Sequence, residues 1–177
     1  MASTNEYGSQ VELRKFDLAA TDDIKKLADW STNYAEMIEL NTEGIARHHL
    51  SVGAYVWGGI AGYAAITVMY SSKVVEFGGL VVDPDMRRLN IGSTLTKNVI
   101  QQAREELDPE LIVAFSGDKS APLFKKLGGQ VVENANNLPS EVWKLCYICP
   151  KHEAAQASGS NCCERVYDMT NIDTGQH

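Results

Sequence analysis

One carboxylate interrupts an otherwise apolar run at Val74-Val75-Glu76-Phe77. On a half-buried strand, desolvation raises the pKa of such a group toward neutrality, which suits it to accept a proton as a general base, directly or through water. The bland alternative is a side chain facing solvent on an alternating strand. Further on, Arg87-Arg88-Leu89-Asn90-Ile91-Gly92-Ser93 lies between a strand-like run and a long amphipathic pattern. A turn leading into a helix start gathers unpaired backbone N–H groups and the positive end of the helix dipole, so it can hold an anion such as a diphosphate. Gly92 permits close approach and the arginines add charge; a solvated basic loop is the competing reading. The third group is Cys146-x-x-Cys149 with Cys162-Cys163, the only four cysteines of the chain. Four thiolates at that spacing can close a structural zinc site, with His152 as a substitute ligand, or they can remain free thiols.

These groups need elements to position them. Val11 to Phe16 alternates as a half-buried strand does. Thr21-Asp22-Asp23 can start a helix carrying Ile24, Leu27 and Ala28, with Trp30 to Leu40 continuing as a second helical stretch and Glu43 to Leu50 open between helix and loop. Gly53 to Trp57 and Ile60 to Tyr70 read as a hairpin joined by Gly58-Gly59, and Val74 to Val82 as a further strand. Gly78-Gly79 inside that strand marks a bulge or a close backbone approach. From Ile91, apolar Leu95, Val99 and Ala103 recur four apart, which predicts a helix to about Leu107. Leu111 to Phe115 reads as a central strand, and Ser120 as the start of a helix with Pro122 in its first turn and Gly128-Gly129 at its end. Val142 to Ile148 and Val166 to Met169 are the last two expected strands. The order predicts an α/β fold, a mixed sheet with helices on its faces.

At 177 residues the chain has the length of one domain, with a cysteine-bearing insert at about 149–162 between the last strands. Its 44% hydrophobic and 22% charged content is that of a globular protein, and no apolar run reaches the roughly 20 residues of a membrane helix. The N-terminus carries no signal-peptide pattern, so a cytoplasmic location is expected. A net charge of −7 argues against a nucleic-acid surface, and no membrane partner is expected. His48-His49 reads as surface, and Trp30, Trp57 and Trp143 as core or edge packing.

The turn from Arg87 to Gly92, entered from a strand ending in Val81-Val82-Asp83-Pro84, resembles the (Arg/Gln)-x-x-Gly-x-(Gly/Ala) diphosphate loop of the GCN5-related N-acetyltransferase (GNAT) family. Gly59-Ile60-Ala61-Gly62-Tyr63 is similar to that family's third strand, and Leu123-Phe124-Lys125-Lys126-Leu127-Gly128 to its helix end, so the resemblance runs from about Val11 to Met169. It implies a mostly antiparallel central sheet of six to seven strands, acetyl-CoA as cosubstrate, and direct attack of a primary amine on the thioester. The implied coenzyme-binding residues are Leu80, Val81, Val82, Arg87, Arg88, Leu89, Asn90, Ile91, Gly92, Ser93 and Phe124. Glu76, sixteen residues before Gly92, matches the base of the histone-acetylating branch, and the Leu80 N–H is the implied donor to the thioester carbonyl. Two departures stand out. Asn90 replaces the usual first loop glycine, which the left-handed tolerance of Asn can accommodate. Phe124 replaces a tyrosine that protonates the departing thiolate, leaving solvent, Ser116 or Ser120 for that step. The acceptor has no readable signature; a homodimer fits the resemblance, and the alternative function is a non-catalytic acyl-CoA-binding or sensing module.

Overall fold

The computed structural model describes residues 11–33, 37–69, 73–134, 138–143 and 165–175. Alternating or apolar β-rich runs set seven strands: β1 (Val11–Lys15), β2 (Leu50–Val56), β3 (Gly59–Val68), β4 (Val74–Val82), β5 (Leu111–Ser116), β6 (Gln130–Val131) and β7 (Arg165–Asp168). They form one sheet in the order β1-β2-β3-β4-β5-β7-β6. Every pairing is antiparallel except β4 with β5. The expected mixed, mostly antiparallel sheet is therefore present, with helices α1 (Thr21–Ser31), α2 (Thr42–Ala46), α3 (Ile91–Leu107) and α4 (Ala121–Lys126) around it.

Two apolar clusters flank the sheet. On one face Leu95, Val99, Ile100 and Ala103 of α3 are fully buried with Ala64, Ile66, Val75, Phe77 and Ile112. Each Val, Leu, Ile or Phe side chain among them contributes about 1.5–3 kcal/mol on removal from water. The second cluster unites Ile24 and Leu27 of α1 with Phe16, Leu40, Ile45, Tyr63 and Val81. The close approach of α3 to β3 depends on Gly62, where an added Cβ would lie 2.9 Å from Leu95 Cδ1 and 3.0 Å from the Val81 carbonyl.

Several expectations are corrected. The hairpin turns on Trp57-Gly58, both at positive φ (50° and 79°), because Val56 already pairs with Gly59. Trp57 consequently sits 68% exposed at the tip, outside the buried core. The second helical stretch expected from Trp30 to Leu40 is not formed among the described residues; 34–36 lie outside them. α1 stops at Ser31, and the side chains of Ser31, Thr32 and Asn33 take the carbonyls of Ala28, Asp29 and Trp30, a local competition that ends helices. The ambiguous segment from Glu43 to Leu50 divides: a short helix runs to Ala46, started by Asn41, whose Oδ1 accepts the Gly44 N–H at 2.9 Å, and Leu50 already opens β2. Val142 and Trp143 belong to a 3₁₀ turn, Ser140–Trp143, not to a strand; residues 144–148 of that expected strand lie outside the described residues. β6 is a two-residue strand that carries no sequence periodicity.

Candidate active site

β4 and β5 run parallel for only three pairs, Val74 with Leu111, Val75 with Ile112 and Glu76 with Val113. Beyond Glu76 the strands fork. Opposite, on the β3 side, the register slips between Tyr63 and Ala65, which face Val81 and Gly78. The extra residue falls at Gly79, whose φ of 62° only glycine adopts freely. Asp83 N–H donates to Ala61 O of β3, so by alternation along the strand the backbone N–H groups of Val82 and Leu80 point away from β3, into the fork.

A groove of about 550 Å³ fills this fork and continues to the start of α3. One of its walls is the turn foreseen in the sequence. Arg88 and Asn90 both adopt positive φ, at 65° and 63°, and Asn90 precedes α3 without a side-chain cap. The Asn90 carbonyl is used by Thr94, whose N–H and hydroxyl both donate to it at 3.0 Å, whereas no side chain takes up the first-turn amides as a cap. No acidic residue occupies that turn. The result is an open, positive cradle suited to an anion. Arg87, Arg88, Asn90, Ile91, Gly92 and Ser93 line it. An added Cβ on Gly92 would make ordinary contacts, 3.5 Å to Leu123 and 3.6 Å to Val82, so the fold tolerates a side chain there and the glycine leaves space for a ligand. Leu80 and Val82 line the groove. Val81 turns into the second core cluster and Leu89 packs against the first, so neither contributes a side chain to the groove.

Glu76 sits at the apex of the fork and lines the groove. Its carboxyl reaches back over the next residue but one, and a Cβ on Gly78 would meet its Oε1 at 3.3 Å. Burial pushes the Glu76 pKa up from the usual carboxylate range to about 7. Thr67, its cross-strand partner, shares the wall.

Phe124 is buried, edge-to-face against Phe77 and Tyr167 at 5.8 and 5.6 Å. Of the two serines, Ser116 is buried and donates to the Gly117 carbonyl at 2.8 Å, while Ser120 lines the groove with its hydroxyl 3.0 Å from that of Ser116. Ser120 does not cap α4 through its side chain.

His48 was expected at the surface; the structure divides the pair. His49 is exposed, whereas His48 enters the groove beside the bulge, its Nδ1 2.7 Å from the Tyr63 hydroxyl. Burial lowers its pKa to about 4, so it is neutral at physiological pH. Met37, Ile38 and Leu40 complete the rim on that side. None of these carries a local motif; only the fold of residues 37–50 over the sheet brings them to Glu76. Cys146, Cys149, Cys162 and Cys163 lie outside the described residues, as does His152. Among the described residues no cluster of His, Cys, Asp or Glu could hold a metal ion, and no helix is long and apolar enough to cross a membrane.

The family profile of the acetyltransferase (GNAT) family matches residues 17–129. No curated protein sequence matches the chain. Among solved structures, N-acetylglutamate synthase from Neisseria gonorrhoeae, complexed with coenzyme A and N-acetyl-glutamate, is 18% identical with a TM-score of 0.66, over 89% of this chain and 34% of that one. The chain thus spans about a third of the length of that synthase. A GNAT-family acetyltransferase from Staphylococcus aureus is 17% identical with a TM-score of 0.65, over 89% of this chain and 97% of the other. Rv2747 from Mycobacterium tuberculosis, solved with CoA, gives 17%, 0.65, 89% and 96% in the same order. At these identities the likeness is one of fold.

Proposed function

Since the chain belongs to the GNAT acetyltransferase family, as the match over residues 17–129 shows, we propose that it transfers an acetyl group from acetyl-CoA to a primary amine by direct attack on the thioester. The observation that carries this reading is the fork of β4 and β5, with a carboxyl of raised pKa at its apex and an uncapped helix start at its mouth.

In this reading the diphosphate lies on the amides of Ile91, Gly92 and Ser93 beside Arg87 and Arg88, and the pantetheine arm follows the free edge of β4. The Leu80 N–H donates to the thioester carbonyl, where negative charge develops as the tetrahedral intermediate forms. Glu76 takes a proton from the incoming ammonium or, through water, from the amine as it attacks. The C–N bond forms, the C–S bond breaks, and the thiolate leaves toward α4. There Phe124 supplies only an apolar wall, and Ser120, one turn earlier, is the hydroxyl available to stabilise the sulfur. Most of the acceleration comes from holding the reacting atoms together and polarising the carbonyl.

A second reading, a module that binds acyl-CoA without turnover, is favoured by the absence of a hydroxyl at Phe124. Release of free thiol from acetyl-CoA, followed across a panel of amines, separates the two. Acceptor-dependent release supports the transferase; tight binding of acetyl-CoA with no release from any amine overturns it.

A further inference from the structure

The acceptor half of the groove is built unlike a simple amine hole. Glu76 and His48 flank consecutive glycines: a Cβ on Gly78 would lie 3.3 Å from Glu76 Oε1, and one on Gly79 would lie 3.2 Å from His48 Cε1 and 3.6 Å from its Nε2. The Cε1–Nε2 edge of the imidazole therefore faces the bulge, while Nδ1 is held by Tyr63 at 2.7 Å. The tautomer follows from Tyr63. Burial raises its pKa, so the phenol keeps its proton. With the Tyr63 proton donated to Nδ1, the remaining hydrogen of the neutral ring is on Nε2. No hydrogen bond of Nε2 is made among the described residues.

We propose, on the footing of the acetyltransferase reading, that His48 is the acceptor-recognition residue, its Nε2–H donating to the first carbonyl oxygen of a peptide whose free α-amine is the acetyl acceptor.

A neutral donor beside the reacting amine calls for an oxygen acceptor about three bonds from the nitrogen, which a peptide N-terminus has and a lysine side chain or polyamine lacks. Arg47, the cation nearest that side, is matched by Glu43 at 2.6 Å. That pairing reduces the net positive charge a free carboxylate would need and favours an uncharged carbonyl. The rim residues Met37, Ile38 and Leu40 suit an apolar first side chain. Proton transfer agrees as well. An α-amine, with a pKa of about 7.7–8, lies close to the value of Glu76, whereas a lysine amine near 10.4 would transfer its proton uphill by roughly three units.

The test compares three probes with the full chain and acetyl-CoA, following thiol release: a short peptide with a free α-amine and an apolar first residue, the same peptide α-blocked with one internal lysine, and an alkylamine of matched size without a carbonyl. The free peptide is expected to exceed both others by about tenfold or more in kcat/KM. His48→Ala should raise KM for that peptide about tenfold, the worth of one buried hydrogen bond whose partner is left unpaired, and change kcat/KM for the alkylamine by a clearly smaller factor. His48→Gln, which retains an N–H donor, should recover part of the loss, and Tyr63→Phe should lie between wild type and His48→Ala. Equal or faster turnover of the lysine probe by the wild-type chain overturns the assignment without any variant. So does an unchanged KM in a His48→Ala protein of wild-type Tm. Absence of thiol release with every amine instead removes the acetyltransferase reading, and this assignment falls with it.

Discussion

At Glu76 the same desolvation that suits the carboxyl to proton transfer works against the folded state, and the two effects can be separated by pH. Its folded pKa of about 7 exceeds the unfolded value of 4.5. The fold therefore favours the protonated form: this group's contribution to stability is complete below the unfolded value and is lost as pH rises through about 7. Activity has the opposite sign, because only the carboxylate accepts a proton. Turnover should rise with pH through about 7 and then level off. Glu76→Gln should lower kcat by roughly 10²–10⁴-fold and abolish that rise, while raising Tm at pH 8 and leaving it unchanged near pH 4.5; a flat profile in the wild-type enzyme would remove Glu76 from the mechanism. At Gly92 the separation is between fold and ligand. Gly92→Ala meets only ordinary contacts and gains helix propensity of about 0.5–1 kcal/mol, so Tm should hold or rise while acetyl-CoA affinity, measured by calorimetry, weakens. That Glu76, Asn90 and Gly92 share one groove was legible from sequence because their signals are local: a charge in an apolar run, a residue tolerant of left-handed backbone, a small residue at a helix start. His48 was not, since its role depends on Tyr63, fifteen positions away, and on a bulge in a third strand.

Elements whose periodicity is uninterrupted fell where the pattern put them. β4 and α3 occupy the expected Val74–Val82 and Ile91–Leu107, because continuous apolar runs and four-residue spacing leave no competing assignment. The segment after α1 shows the reverse. Apolar spacing continues beyond Trp30, but three hydrogen-bonding side chains in succession, Ser31, Thr32 and Asn33, turn back onto helix carbonyls, and the Ser31 hydroxyl accepts the Leu40 N–H at 3.0 Å. A polar detail thus overrode a hydrophobic pattern, and it also directs residues 37–40 to the groove rim. The packing of α3 on β3 gives the prediction for this scale. Gly62→Ala would drive a methyl to within 3.1 Å of Leu95, Ile91 and the Val81 carbonyl. Overpacking of this kind costs about 1–3 kcal/mol. A chemical-denaturation midpoint should fall accordingly, and because α3 carries the amide cradle at its start, acetyl-CoA affinity should fall too. A Gly62→Ala protein with unchanged midpoint would mean that the helix shifts at no cost.

Across the whole molecule, the charge balance and the site are at odds in a useful way. The chain carries −7 overall, yet the groove mouth gathers Arg87 and Arg88 with Lys119 on its opposite wall. A polyanionic ligand is steered to that mouth and repelled elsewhere, which makes the interaction dependent on ionic strength. Acetyl-CoA at a hundred times its Kd should add about 2.7 kcal/mol to folding stability, a rise of several degrees in Tm for a chain of this size, and the increment should shrink in high salt. A Tm indifferent to acetyl-CoA would contradict coenzyme binding in the fork. The fork has a mechanical meaning as well. Among the described residues, three paired positions stitch β1 to β4 onto β5, β7 and β6. Whatever lies along the open edge beyond Glu76 stands in for a missing ribbon, borrowing the ladder that two neighbours decline to complete. The Leu80 and Val82 amides, which point away from β3, should thus trade their hydrogens with deuterated solvent briskly when the cleft is vacant and sluggishly when it is filled, so that cargo serves for a time as part of the scaffold.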